Sequence, residues 1–205
     1  IEIKKQIKSG LMQELLTGKT RLKGFKDKWR RARLGDLGNL VSGGTPSKQQ
    51  DKYWHGDIPW ISSSDLVENN IEYVSIHRYI TQTAIRESAT HLVPEKSIII
   101  VSRVGVGKVI VNKEALCTSQ DFQSLVVNNN QNDPYFLAQL LLIELQKLIQ
   151  SNQGTSIMGF LKKDLEELLL TIPDKKEQTA ITNIMTNADK EITAIKSKLA
   201  LLNSQ

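Results

Sequence analysis

Apolar residues recur along the last part of the chain in a pattern that predicts one long helix. From position 181 onward, intervals of four and three residues alternate through Ile181, Met185, Ala188, Ile192, Ile195, Leu199 and Leu202. A seam of this kind, kept over three heptads, is typical of helices that supercoil around a partner helix. Pro173 ends the segment before it, Asp174 is a candidate N-cap, and Glu177 stands where it would close a capping box.

The length of this helix suggests its role. About 30 residues make a helix about 45 Å long, which exceeds what a compact domain of this size usually needs. We therefore expect residues 173–205 to form a protruding coiled-coil arm that sets a distance or holds a partner. The pattern alone leaves one alternative open, a long surface helix packed on its own globular domain.

The middle of the chain has the residue pattern of β-strands. Two β-branched runs, 97–103 and 108–112, flank a glycine-containing turn, which predicts a hairpin. A third run, Phe122–Val127, follows closely, and shorter strands are expected at 71–74 and 169–172. Helical patterns and capping residues predict further helices at 2–16, 81–88, 134–150 and 162–168.

These elements predict an α+β fold, with a globular β-rich domain and a long helical coiled-coil arm. We expect residues 1–24 to form a short helix and a basic connector, 25–172 the globular domain, and 173–205 the arm. No run of about 18 apolar residues predicts a membrane span. The first residues resemble neither a signal peptide nor a natural start. The one cysteine, Cys117, cannot form an internal disulfide, which fits a cytoplasmic setting.

The charge distribution points to an acidic polymer as partner. The formal net charge is +5. Residues 1–34 carry 11 Lys and Arg against 3 Asp and Glu, whereas the remaining residues carry 16 against 19. A basic terminus beside a nearly neutral body suggests nucleic acid first. A solvated basic helix and tail would give the same composition.

Residues 42–65 combine turn residues, hydroxyl groups and two of the three tryptophans. Functional residues often lie on such segments, and hydroxyls with exposed backbone N–H groups suit contacts to phosphate. The tryptophans, Trp54 and Trp60, are better explained as residues that pin a rigid loop. For the loop itself the contact role and the structural role stay equally open.

No motif for catalysis or metal binding is convincing. The segment 105–108, Gly-Val-Gly-Lys, resembles the end of a P-loop, but the earlier glycine and the final hydroxyl residue are absent, so we interpret it as a hairpin turn. The segment 132–135, Asn-Asp-Pro-Tyr, is explained by a helix N-cap. The three histidines lack metal-ligand spacing. We expect no cofactor, no metal and no enzymatic activity of this chain.

A set of short motifs, taken in order, resembles a known family. They are Gly43-Gly44-Thr45-Pro46-Ser47, Tyr53-Trp54, Gly56-Asp57-Ile58-Pro59-Trp60, Lys96-Ser97-Ile98, Gly105-Val106-Gly107, Thr118-Ser119-Gln120-Asp121-Phe122, Gly154-Thr155-Ser156, Lys162-Lys163-Asp164-Leu165 and Glu177-Gln178. Together with the heptad helix they resemble a target recognition domain and the conserved helix of the specificity subunit of type I restriction–modification systems. Residues 10–18 resemble the end of such a helix.

The resemblance implies either a half-length version of that subunit or an excised second half of a full one, because a full subunit has two recognition domains and two conserved helices. It implies that each domain reads one half of a split site in double-stranded DNA, while the coiled coil fixes the gap and holds the modification subunits. Those subunits would bring the S-adenosylmethionine site, and the restriction subunit would join through the complex. A half-length chain would pair with a second copy, so we expect a two-fold homodimer through the heptad seam.

We expect a set of cationic, hydroxyl and amide side chains to contact DNA. The cations would neutralise phosphates and the amides would read base edges. The set is Arg30, Arg31, Arg33, Thr45, Ser47, Lys48, Ser63, Ser64, Arg103, Lys108, Gln120 and Gln123. Two other classes stay open: a coiled-coil interaction module that binds no DNA, and an enzyme that uses residues 42–65 as its substrate cleft near His55, Asp57 or Asp65.

Overall fold

The structure, a computed structural model, describes residues 10–68, 70–151 and 159–203. The chain divides into two units, one formed by Ile1–Arg30 with Thr171–Gln205 and the other by Arg31–Leu170. Helices and sheets together make it an α+β protein, as the sequence predicts. Among the described residues, no helix is both long and apolar enough to cross a membrane.

The described residues form ten strands and five α-helices. The strands are β1 (Arg30–Arg33), β2 (Gly38–Ser42), β3 (Trp54–Ile61), β4 (Arg78–Ile80), β5 (Leu92–Val93), β6 (Ile98–Val101), β7 (Val109–Val111), β8 (Leu116–Thr118), β9 (Phe122–Val127) and β10 (Leu169–Ile172). The α-helices are α1 (helical over residues 10–16), α2 (Gln82–Glu87), α3 (Pro134–Ser151), α4 (Lys162–Glu167) and α5 (Lys175–Asn203). Short 3-10 helices occupy Leu34–Asp36, Asp51–Tyr53 and Ser63–Asp65.

Two four-stranded sheets build the unit Arg31–Leu170. Their strand orders are β2-β9-β6-β7 and β4-β3-β8-β5. All described pairings in these sheets are antiparallel except that of β3 with β8, where Trp60 lies beside Cys117 and Ile61 beside Thr118. Since β3 and β8 run in parallel, the chain leaves both strands at the same edge of their sheet. That edge carries the candidate site.

Side chains from both sheets share one core. The buried cluster comprises Ile61, Leu66, Val93, Ile99, Val101, Ile110, Leu116 and Phe122. Most of these are β-branched or aromatic residues, which pack well on a pleated surface. The strands β6 and β7 are buried throughout, which explains why they read as continuous apolar runs rather than as alternating patterns.

The structure confirms most of the predicted elements and corrects two. The hairpin of β6 and β7 forms, and β9 and β10 have the predicted bounds. Residues 71–74 form no strand; Val74 makes only an isolated bridge with Leu66. Part of the segment that we predicted as a loop, residues 42–65, is the eight-residue strand β3. The glycine and proline inside β3 conceal its strand pattern, since both residues normally interrupt strands.

The other unit contains α1, α5 and a short connector. Asp174 caps α5, since its carboxylate accepts a hydrogen bond of 2.8 Å from the backbone N–H of Glu177. The expected capping box does not form, because the carboxylate of Glu177 binds elsewhere. It accepts two bonds of 2.7 Å from the guanidinium of Arg21 and one of 3.1 Å from the indole of Trp29. Burial of Glu177, at 2 % exposure, makes this pairing necessary.

The heptad seam of α5 is buried over the part whose side chains are described. Ile181, Met185 and Ile192 are buried, and Ala188 and Ile195 are half-buried. The side chains of Leu199 and Leu202 lie outside the described residues, as do residues 2–9 of the first predicted helix and residues 154–156 of the motif set. The protruding coiled-coil arm and the three-part domain division stay predictions.

Candidate nucleic-acid interface

Four loops meet at one edge of the two sheets in the unit Arg31–Leu170. They are residues 43–48 after β2, 62–66 after β3, 102–108 between β6 and β7, and 119–121 between β8 and β9; we call this surface the loop face. The loop 119–121 lies at the centre of this surface, because its backbone forms hydrogen bonds with the backbone at the ends of β3 and β6. The N–H of Ser102 donates to Asp121 O at 2.7 Å, and the N–H of Ser119 donates to Ile61 O at 2.9 Å.

Hydroxyl groups of the first loop and its strand hold two glutamines. The hydroxyl of Ser42 donates to the side-chain oxygen of Gln123 at 3.0 Å, and that of Thr45 donates to the side-chain oxygen of Gln120. These bonds hold each amide by its oxygen and leave its NH₂ group available as a donor. Donors held in this way suit the acceptor atoms on base edges and phosphates.

The two tryptophans fix the loop 43–48 through their indole N–H groups. Trp60 donates to Gly44 O and Trp54 to Ser47 O, both at 3.1 Å. Their rings meet edge to face, with centroids 5.4 Å apart. This geometry confirms the interpretation that the tryptophans pin a rigid loop.

Two glycines permit the close approach of this loop to its neighbours. A Cβ on Gly43 would lie 2.1 Å from Ser119 O, and one on Gly44 would lie 2.2 Å from Ala89 O. The backbone N–H of Gly44 also donates to Thr118 O at 2.8 Å. No side chain fits at either position without moving backbone, so the two glycines allow the loop to pack directly against the neighbouring backbone.

Lys108 points toward a neighbouring loop. Its ammonium group donates to Leu66 O at 3.1 Å and approaches Ser63 O at 3.5 Å. The side chain is half-buried, and it satisfies carbonyls of the turn 62–66. Lys108 therefore supports that turn, in addition to the positive charge that it brings to the loop face. The predicted turn at 105–108 forms, with Gly105 and Gly107 at φ of 78° and 94°.

Sequence reasoning missed Arg78, which follows an irregular segment and starts a strand of only three residues. Its guanidinium pairs with the carboxylate of Asp65, donates to the hydroxyl of Ser62 at 2.7 Å, and lies 4.8 Å from the ring centroid of Trp60. Asp65 in turn accepts from the backbone N–H of Ser62 at 2.7 Å. These contacts join β4 to the turn after β3, and no local sequence pattern predicts them.

Eight of the twelve residues predicted to contact DNA lie on the loop face. They are Thr45, Ser47, Lys48, Ser63, Ser64, Arg103, Lys108 and Gln120; Gln123 lies next to this surface on β9, paired with Ser42. The structure does not bring Arg31 and Arg33 to this surface. They are exposed on β1 and precede β2 at the end opposite Ser42, about 13 Å away along a five-residue strand. Arg30 belongs to the other unit.

Below the loop face, Cys117 is fully buried beside Trp60. Burial raises the pKa of its thiol to about 11, and a hydrogen bond with Thr90 acts in the opposite direction. A thiol with that pKa is a poor nucleophile near neutral pH. Among residues 10–68, 70–151 and 159–203, no group of three or more His, Cys, Asp or Glu side chains is placed to hold a metal ion. The side chains of the loop face can form hydrogen bonds, and its lysine and arginine side chains can pair with phosphate.

Comparison with known proteins agrees with this geometry. Residues 26–204 match the family described as type I restriction modification DNA specificity domain. The type I restriction enzyme MjaIX specificity subunit of Methanocaldococcus jannaschii is 29% identical over 178 residues, which cover 85% of this chain and 41% of that protein. The chain thus spans less than half the length of this curated relative.

Solved structures share the fold. The HsdS subunit from Thermoanaerobacter tengcongensis superposes with a TM-score of 0.68 at 20% identity, covering 96% of this chain and 46% of that one. The type I restriction–modification S subunit from M. genitalium gives a TM-score of 0.68 at 14% identity, covering 99% and 52%. By the match to its family model over most of its length, the chain belongs to the type I restriction modification DNA specificity domain family.

Proposed function

We propose that this chain is a DNA-recognition part of a type I restriction–modification complex and binds double-stranded DNA through the loop face. The observation that carries the proposal is the convergence of four loops bearing hydroxyl, amide and cationic groups in a chain of this family. Exposed cations such as Arg103 and Lys48 neutralise phosphates, which makes affinity strongly dependent on salt. The oriented amides of Gln120 and Gln123 read base edges.

In this proposal the unit Arg31–Leu170 reads one half of a bipartite site. Helix α5 pairs through the seam positions that one chain leaves partly accessible, such as Ala188 and Ile195. It sets the spacing between half-sites and holds the modification subunits, with the restriction subunit joining through the complex. If the protein is a half-length subunit, a second copy related by a two-fold axis supplies the recognition domain for the other half-site. The chain itself is not catalytic, and methylation and cleavage reside on the partner subunits.

Selection from a random duplex pool tests the proposal. The protein is mixed with its modification subunit, and the retained DNA is sequenced at low and at moderate salt. We expect an inverted-repeat motif split by a spacer of fixed length. A single unrepeated half-site would support DNA recognition but refute the homodimer. No enrichment even at low salt would refute DNA recognition and favour a coiled-coil interaction module.

A further inference from the structure

Beside the loop face lies an open cleft of about 290 Å³. Its lining residues are Lys48, Asp51, Trp54, His55, Trp60 and Arg78. Aromatic, cationic and acidic groups therefore share one small cavity, and its volume is at the lower end of the range for ligand sites, about 300 Å³. A site of that size suits a single small planar ligand.

The strand β3 is distorted in a way that serves this cleft. Both Trp54 and Ile58 pair with Ile80, so the three residues between them bulge out of the ladder. In the bulge His55 adopts a left-handed φ of 63°, and a Cβ on Gly56 would lie 2.2 Å from Ile80 O. Bulges of this kind often redirect a side chain beside a functional site, and here the redirected side chain lines the cleft.

The aromatic walls are held before any ligand arrives. The indole N–H groups of Trp54 and Trp60 are already bonded to loop carbonyls, so the rings present apolar and π surfaces. The guanidinium of Arg78 lies over Trp60, and Asp65 balances its charge. Flat surfaces fixed in this way favour a planar aromatic ligand through stacking.

The remaining charges define what else the ligand must carry. Within the described part of the chain, neither Lys48 nor Asp51 takes part in an ion pair. A purely apolar ligand would desolvate both groups without compensation, and a simple anion would leave the aromatic walls unused. A ligand with a phosphate for Lys48 and an amino group for Asp51 satisfies both charges.

We propose that the cleft binds one nucleotide, an amino-bearing base with its phosphate. The base stacks on Trp54, its exocyclic amino group donates to Asp51, and its phosphate binds Lys48 and the outer edge of Arg78. The ligand comes either from an unpaired position of a DNA strand or from a free nucleotide. Only the first source rests on the proposed DNA recognition; the cleft itself does not.

NMR of the three tryptophan indole N–H signals tests the site on the intact chain. We expect deoxycytidine monophosphate to shift the signals of Trp54 and Trp60 along a saturable curve and to leave that of Trp29, in the other unit, unchanged. Thymidine monophosphate, which lacks the amino group, should bind about threefold to tenfold more weakly. Equal binding of the two nucleotides, or no saturable shift, would overturn the proposal.

Variants separate the site from general charge and folding effects. Lys48→Ala should weaken binding of deoxycytidine monophosphate about tenfold, whereas Lys113→Ala, which removes the same charge outside the cleft, should not change it. His55→Gly removes an imidazole that lines the cleft and suits the left-handed backbone, so it should stay folded and, through loss of that wall, bind about threefold to tenfold more weakly. Unchanged binding in both cleft variants would refute the assignment.

Two DNA ligands identify the source and keep the two proposals distinct. If a duplex with one unpaired cytosine binds more tightly than its fully paired counterpart, and Lys48→Ala abolishes the difference, the nucleotide comes from a strand. Nucleotide binding without this advantage assigns the cleft to free nucleotides. If the protein binds duplex DNA selectively but mononucleotides cause no shift of the tryptophan signals, only the nucleotide site is refuted. If it binds mononucleotides but no duplex, only the proposed function is refuted.

Discussion

Replacing Trp60 by phenylalanine should destabilise the protein by about 2–4 kcal/mol. Trp60 is 3% exposed, and its N–H donates to the buried carbonyl of Gly44 at 3.1 Å. Phenylalanine leaves that carbonyl unpaired in an apolar setting, which costs about 1–3 kcal/mol. The smaller ring also buries less apolar surface, which costs about 1 kcal/mol more.

Trp54→Phe is the matched control, because it removes the same kind of bond from a half-buried indole to an exposed acceptor residue. The indole of Trp54 donates to Ser47 O, also at 3.1 Å, but Ser47 is exposed and its carbonyl can bond to water instead. We therefore expect a cost of about 1 kcal/mol or less. The difference between the two variants reports burial of the hydrogen bond rather than its geometry.

Urea denaturation followed by circular dichroism measures both variants, with an unchanged m-value as the check that the same surface unfolds. The sheets should remain in both variants, and only the loop 43–48 should loosen. Equal losses for Trp60→Phe and Trp54→Phe, or a loss below about 0.5 kcal/mol for the former, would refute the reasoning that a buried bond holds this loop.

Three further predictions concern single side chains. Arg103→Ala should lower DNA affinity and reduce the slope of log affinity against log salt by about 1, as measured by salt titration. Lys108→Ala should lower affinity with a smaller change in slope, because the ammonium group of Lys108 supports a turn. Because burial raises the pKa of Cys117 to about 11, a thiol reagent at pH 8 should label it only in denaturant, and rapid labelling of the folded protein would contradict its burial. Asp174→Ala should cost about 1 kcal/mol in thermal or urea unfolding through loss of the α5 cap, similar to Asp133→Ala at α3, and no loss would contradict the capping role.

Local patterns predict the elements whose signals are local. The hairpin of β6 and β7, the strand β9 and the caps of α2 and α5 follow from β-branched runs, turn glycines and capping residues. The strand β3 escapes detection because Gly56 and Pro59 interrupt its pattern. Its parallel pairing with β8 joins residues far apart in sequence, so no local window contains the information.

The candidate site divides in the same way. Hydroxyl- and glycine-rich loops are visible in the sequence, and most residues predicted from them lie together on the loop face. Arg78 and the partners of Lys108 are not visible, because each depends on a contact between loops that are distant in the chain. Arg31 and Arg33 form a basic run that suggests DNA binding, yet the strand order carries them to the opposite end of β2.

The bonds that tie one loop to another have an evolutionary consequence. Thr45 holds Gln120, Ser42 holds Gln123, and Lys108 supports the turn at Ser63. A substitution in one loop therefore changes the geometry of the next, so mutational effects in these loops should be epistatic rather than additive. If the loop face binds DNA as proposed, exchanging the whole unit Arg31–Leu170 between relatives should change specificity more readily than grafting one loop at a time.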